Sequence, residues 1–193
     1  MKIPFTPVML AASVVALSAC SSTPSTSGAP QAPSTATTAV STAKAAQVNL
    51  ASASASLVSG RLSVVPMHDG VHLTGEIGGL APNSTHAIHI HEKGDCRAAD
   101  ASCAGGHFNP AGAPHGKVGG SAHHGGDMDN IVADAEGVAK VNVHASGVTL
   151  GGGAANDVAG KAVIVHAAPD DYRTQPTGNA GGRIACGIIT VTR

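Results

Sequence analysis

The stretch "HIHEKGDC" at residues 89 to 96 sets two histidines one residue apart. In a strand, residues i and i+2 face the same side, so His89 and His91 point together while Ile90 takes the opposite face. Two imidazoles side by side can grip one metal ion. Further along, His107 stands in "GGHFNP", His115 follows eight residues on, His124 nine beyond that, and Asp127 closes the run in "HGGD". Three imidazoles and one carboxylate form a ligand set that satisfies tetrahedral zinc. His166, in "AVIVHA", adds an imidazole from a distant part of the chain. An all-imidazole set of tetragonal geometry suits Cu(II). His89, His91 and His166 make only three, so a second metal needs a fourth ligand that both sites share.

Eleven histidines in 193 residues are the outlier of the composition, and seven of them fall between residues 86 and 124. A solvated loop has no need of that density. The elements that must hold these groups are built without aromatic bulk: there is no Trp, one Tyr and two Phe, so the core falls to Val, Ile, Leu and Ala. The 25 glycines point to many turns rather than long helices. Alternating or β-branched runs recur at 57 to 65 ("LVSGRLSVV"), 70 to 77, 85 to 91, 137 to 144, 162 to 167 and 187 to 192, several of them separated by turn signals such as "HDG" and "DAEG". No window of helical length carries an apolar stripe. The pattern predicts an all-β, antiparallel sandwich or barrel over residues 47 to 193. Residues 92 to 129 and 168 to 184 are long, Gly-rich and polar, which marks them as two functional loops. With a formal net charge of −1, no nucleic-acid partner is implied.

The chain opens with a different kind of information. Lys2 precedes the apolar run "VMLAASVVAL" at residues 8 to 17, which is too short to span a bilayer and reads as the core of a secretory signal over residues 1 to 19. It ends in "LSAC", which resembles a bacterial lipobox and makes Cys20 the expected site of lipid attachment. Residues 20 to 46 are rich in Ser, Thr, Ala and Pro and read as a tether, with an average flexible span of roughly 28 Å. Export to an oxidising compartment, with anchoring in a membrane through the lipid, follows as an expectation.

The motifs "HIHEKGD", "GGHFNP", "HGGD" and "GNAGGRIACG", in that order and spacing, resemble copper/zinc superoxide dismutase in its exported bacterial lipoprotein form, over residues from about 55 to 193. The resemblance implies an eight-stranded Greek-key β-barrel, superoxide as substrate, a Cu(II)/Cu(I) ion that exchanges the electrons and a Zn(II) ion that does not. It implies His89, His91, His107 and His166 on copper; His107, His115, His124 and Asp127 on zinc; and His107 as the shared ligand that also handles a proton. His123 is then spare, since the spacing to His115 and Asp127 selects His124. Arg183 matches the active-site arginine that pairs with the anion, with Arg173 and Lys93 as candidate helpers and Thr177 as a channel-lining residue. Asp170, with Asp171 as the alternative, matches a carboxylate that orients one histidine of each metal. His86 is expected to be structural, and His68, His72 and His144 to be surface residues. A plain copper or zinc store, the competing reading, requires neither Arg183 nor Asp170. The implied location is the periplasm, anchored to the outer membrane because Ser21 follows Cys20; monomer and homodimer both stay open.

Cys186 in "IACG" matches the family's C-terminal partner of a disulfide. Cys96 is the expected mate, with Cys103 the alternative, and a closed loop of about ninety residues stabilises the fold by roughly 4 kcal/mol. Cys103 is left as an odd thiol, free to pair between molecules or exchange with Cys96.

Overall fold

A computed structural model describes residues 39–192. The expected signal sequence, Cys20 and the first part of the tether lie outside them. Ten strands follow in chain order: β1 (Ala45–Ser52), β2 (Ser59–Met67), β3 (Gly70–Gly78), β4 (Thr85–His86), β5 (Ile88–His91), β6 (Ile131–Val132), β7 (Ala139–Ser146), β8 (Ala162–His166), β9 (Arg183–Ile188) and β10 (Thr190–Thr192). Eight of them make one antiparallel sheet in the order β5-β8-β9-β1-β2-β3-β7, with β10 also on β1, while β4 and β6 form a separate pair. The sheet curls into the expected Greek-key barrel. The one helical piece among the described residues is a single 3-10 turn at Ser102–Ala104.

Strand β1 is the departure from expectation. "AAQVNLAS" buries Ala46, Val48 and Leu50 in clean alternation and pairs with β2, β9 and β10. It starts at Ala45, two residues inside the stretch read as tether, and the backbone of Thr42 and Ala43 already bonds to the Leu150 carbonyl. Its interior is small and its exposed face polar, so its composition continues that of the segment before it.

Inside the barrel, Leu62, Val64, Leu73, Ile77, Ile88, Ile90, Val141 and Val163 form the centre of an aliphatic core. Strands β5 and β8 are buried at every residue, on both faces. Their inner face meets this core. Their outer face is covered by the two long connections, residues 92–130 and 167–182, the segments that carry most of the candidate ligands. A second, small apolar layer of Ala53, Ala101, Ala104, Ala162, Ile164 and Cys186 lies under the first connection. The Cys96–Cys186 disulfide closes there, across 90 residues of sequence. No described cysteine is free, so Cys103 is not the odd thiol that counting suggested.

Candidate metal centre

Three short backbone hydrogen bonds bring the ligand-bearing segments together. The Ile90 amide donates to the Gly126 carbonyl, the Phe108 amide to Ile90, and the Gly126 amide to Phe108, each at 2.8 Å. These residues neighbour His89 and His91, His107, and Asp127, so one backbone braid aligns three pieces of sequence. A Cβ at position 126 would collide with the Ile90 carbonyl oxygen, which is why glycine stands there. His166 arrives from β8 at an irregularity between Val165 and His166 and sits opposite Arg183 on β9. A break in register next to a site is a common way to re-aim a side chain.

Two groups result. The ligand atoms of His89, His91, His107 and His166 lie within 4.8 Å of one another, as do those of His107, His115, His124 and Asp127, and all seven residues are buried. His107 belongs to both. Its Nδ1 lies 2.9 Å from Asp127 Oδ1 and 3.4 Å from His124 Nδ1. Asp127 Oδ1 is 3.0 Å from His115 Nδ1 and 3.4 Å from His124 Nδ1. Two ligands on a tetrahedral zinc with bonds of about 2.0–2.1 Å stand roughly 3.3 Å apart, so this set already has the right size. On the other side, His91 Nε2 and His166 Nε2 approach to 3.3 Å. His89 Nδ1 and His107 Nε2 are buried with no hydrogen-bond partner. Orphaned buried lone pairs are costly in a folded protein, and a metal ion is the partner that removes the cost.

The far side of each ring is tied down. His89 Nε2 is 2.9 Å from Asp170 Oδ2, and His115 Nε2 is 2.9 Å from Asp170 Oδ1, so one carboxylate holds a ring from each group. His91 Nδ1 donates to the Gly105 carbonyl at 2.9 Å. Such outer partners fix the tautomer and leave the inward nitrogen as the lone-pair donor. Gly178 makes room for this link, because a Cβ there would collide with Asp170 Oδ1.

Burial lowers the pKa of His89 to about 4, of His166 to about 3 and of His91 to about 2, with the neighbouring imidazoles adding to the fall. All three are neutral at pH 7, as metal ligation requires. Burial alone would lower His115 too, but its hydrogen bonds to Asp127 and Asp170 carry it up to about 9. The same burial would raise both carboxylates, yet hydrogen bonds from His107 and His115 to Asp127, and from His115 and His89 to Asp170, hold them well below the usual carboxylate range.

A family model described as copper/zinc superoxide dismutase matches residues 58–189. The chain belongs to the copper/zinc superoxide dismutase family. Superoxide dismutase [Cu-Zn] 2 of Aquifex aeolicus is 42% identical over 135 residues, covering 68% of this chain and 79% of that protein. Superoxide dismutase [Cu-Zn] of Caulobacter vibrioides is 41% identical over 136 residues, covering 68% and 78%. Among solved structures, a SOD-like protein from Bacillus subtilis superposes with a TM-score of 0.67 at 33% identity, over 74% of this chain and 97% of that one. The clock protein EA4 superposes with a TM-score of 0.69 at 34% identity, over 80% and 98%. As a member of the family the chain is an oxidoreductase that uses copper and zinc.

The remaining candidates fall into place around the centre. Arg183, half-buried, donates from Nη1 to the Ala101 carbonyl at 2.6 Å and from Nη2 to the Gly105 carbonyl, the same oxygen that receives His91. Asp171 is exposed and caps a turn through Arg173 and Thr174, so Asp170 alone takes the bridging position. Arg173 and Lys93 are exposed, and Thr177 is half-buried next to Gly178. His86 is structural, its Nδ1 donating to the His166 carbonyl at 2.8 Å. His123 stays outside the ligand groups, its Nδ1 donating to the His124 carbonyl at 2.7 Å and its Nε2 lying 2.9 Å from Ser146 Oγ. His68 is exposed as expected, whereas His72 and His144 are half-buried and paired. Sequence reasoning missed Asn130, whose side chain brackets the Asp170 backbone with bonds of 2.9 and 2.8 Å. It also missed Gly126 and Gly178. "HGGD" and "GNAGG" contain both glycines, but only the fold reveals what presses against them.

Proposed function

We propose that the family's reaction, two superoxide anions to dioxygen and hydrogen peroxide, runs at this centre with a fixed division of labour. His89, His91, His107 and His166 hold copper; His107, His115, His124 and Asp127 hold zinc; Asp170 orients His89 and His115; Arg183 binds the anion. Copper, when bound, supplies one-electron exchange between Cu(II) and Cu(I), and zinc supplies a constant positive charge. The observation that carries this reading is the position of His107, which faces one group with Nδ1 and the other with a buried, unpartnered Nε2. Anchored through Nδ1, the ring has Nε2 as its only place to hold a proton. That nitrogen faces the copper group, where the oxygen being reduced needs one. With Cu(II) in one group and Co(II) in the other, a shared ring couples the two spins, so the copper EPR signal should broaden or vanish. A copper signal of full intensity beside bound cobalt would remove the shared ligand.

Arg183 acts on the anion. Its guanidinium has five N–H donors, of which two are spent on Ala101 and Gly105, leaving others for superoxide. Because the chain carries a net charge of only −1, attraction at the site has to be local. Arg183→Ile in fully metallated protein should lower kcat/KM roughly tenfold or more while the copper spectrum holds. An unchanged rate would end its role.

The same proposal extends to place. The apolar run after Lys2, "LSAC" at 17 to 20 and the Cys96–Cys186 disulfide together support export, lipid attachment at Cys20 and work in the periplasm at the outer membrane. Cys20→Ser should move the protein from the membrane fraction to the soluble fraction. Retention in the membrane would contradict the anchor.

A further inference from the structure

The two long connections meet at the one tyrosine of the chain, Tyr172, two residues past Asp170. Its amide donates to Asp170 Oδ1 at 2.6 Å, the oxygen that also receives His115 Nε2. Its phenol oxygen reaches a residue 42 positions away and accepts the Asn130 amide at 2.9 Å. Asn130 in turn grips the Asp170 main chain, Nδ2 donating to the carbonyl and Oδ1 accepting from the amide. Tyr172, Asn130 and Asp170 thus close a ring of hydrogen bonds. We propose that Tyr172 is a positioning residue for the metal centre: its phenol fixes Asn130, Asn130 fixes Asp170, and Asp170 aims His115 and His89. This role rests on the reading of Asp170 as the carboxylate that orients both rings.

The backbone of Tyr172 supports it. Among the described residues, Tyr172 is the one aromatic side chain on a left-handed backbone, at φ +60. A bulky residue is held in that region only where its surroundings fix it, and such positions gather at functional sites. The left-handed turn lets the Tyr172 amide point back at Asp170 while the phenol reaches Asn130. Lys117, two residues past His115, sets its Nζ 5.3 Å from the centre of the tyrosine ring, so the ring also touches the connection that carries the zinc ligands. The hydroxyl is the part that matters for aim. A phenylalanine fills the same space but leaves the half-buried Asn130 N–H without its acceptor. Gln175 meanwhile holds the His115 main chain on its own, accepting from the amide and donating to the carbonyl at 2.8 Å each. Loss of the phenol oxygen therefore leaves the two connections joined and loosens Asp170.

The test uses wild type, Tyr172→Phe, Asp170→Asn and the double variant, each loaded with copper and with Co(II) in the zinc group. Release of Co(II) to a chelator and its visible absorption bands are followed. Tyr172→Phe should release Co(II) roughly three- to tenfold faster, short of the ~10 to 100-fold of Asp170→Asn, and should shift the Co(II) bands. In the Asp170→Asn background the same substitution should change neither further, because the link it acts through is already cut. Wild-type release and bands in Tyr172→Phe, beside faster release in Asp170→Asn, overturn the proposal. So does an equal acceleration in both backgrounds, which would make Tyr172 a packing residue of the loop. If Asp170→Asn itself releases Co(II) at the wild-type rate, the reading of Asp170 fails and the role of Tyr172 falls with it.

Discussion

Each oxygen of Asp170 is committed to a histidine of a different metal group, Oδ2 to His89 and Oδ1 to His115. An amide in its place offers one acceptor and one donor, so one ring must turn or lose its partner. Asp170→Asn should therefore weaken metal retention by about 10 to 100-fold, read by competition with a chelator; retention equal to wild type would show that the rings orient themselves. Gly178 is the second sensitive position. Its φ of +66 belongs to the left-handed region, and a side chain there would strike Asp170. Gly178→Ala should destabilise the metal-free protein by about 1–3 kcal/mol, measured as a lowered unfolding midpoint. It should also release zinc faster, because His115 Nε2 lies under the same spot.

At the scale of elements, β5 and β8 need the two long connections as a cover, and the cover needs the strands to fix it. The Cys96–Cys186 bond fastens the first connection to β9 three residues from Arg183, and Ala101 and Gly105 of that connection receive the guanidinium. Cys96→Ser should cost roughly 4 kcal/mol of stability by the loop-entropy argument. Activity should fall further than the folded fraction does, because Arg183 loses its rests; activity that tracks the folded fraction alone would separate the two effects. Much of this was legible in the sequence. The alternation of His89 and His91 names a strand face by itself, and the loop ligands lie close enough along the chain to be read as one set. Strand β1 was not legible, because Ala, Gln, Val and Asn at its positions continue the low-complexity character of the preceding segment. Nor was the bracket of Asn130 on Asp170, since 40 residues separate them and neither residue announces the other.

For the whole molecule, the burial of so many ionisable groups makes the metal-free state sensitive to pH. His89, His91 and His166 have folded pKa values near 4, 2 and 3, below the 6.5 of an unfolded chain. The unfolded state takes up their protons first, so the stability they contribute is present above pH 6.5 and is lost as pH falls toward those values. Asp127 and Asp170 act in the same direction below 3.8, their unfolded value. His115 opposes them, its contribution being complete below pH 6.5 and lost as pH rises through about 9. Stability of the metal-free protein should thus peak near neutrality and fall steeply on the acid side, which urea unfolding across pH can follow. A flat profile between pH 6.5 and 4 would contradict the burial of these rings. A ring common to two sites has one more consequence. An ion that settles in either group freezes His107, and through Asp170 a second histidine, for the other, so each metal prepays the ordering its companion would otherwise face. Loading is then cooperative, and by linkage zinc strengthens copper by the same factor that copper strengthens zinc. A population short of metal should divide into full and empty molecules, with few half-filled.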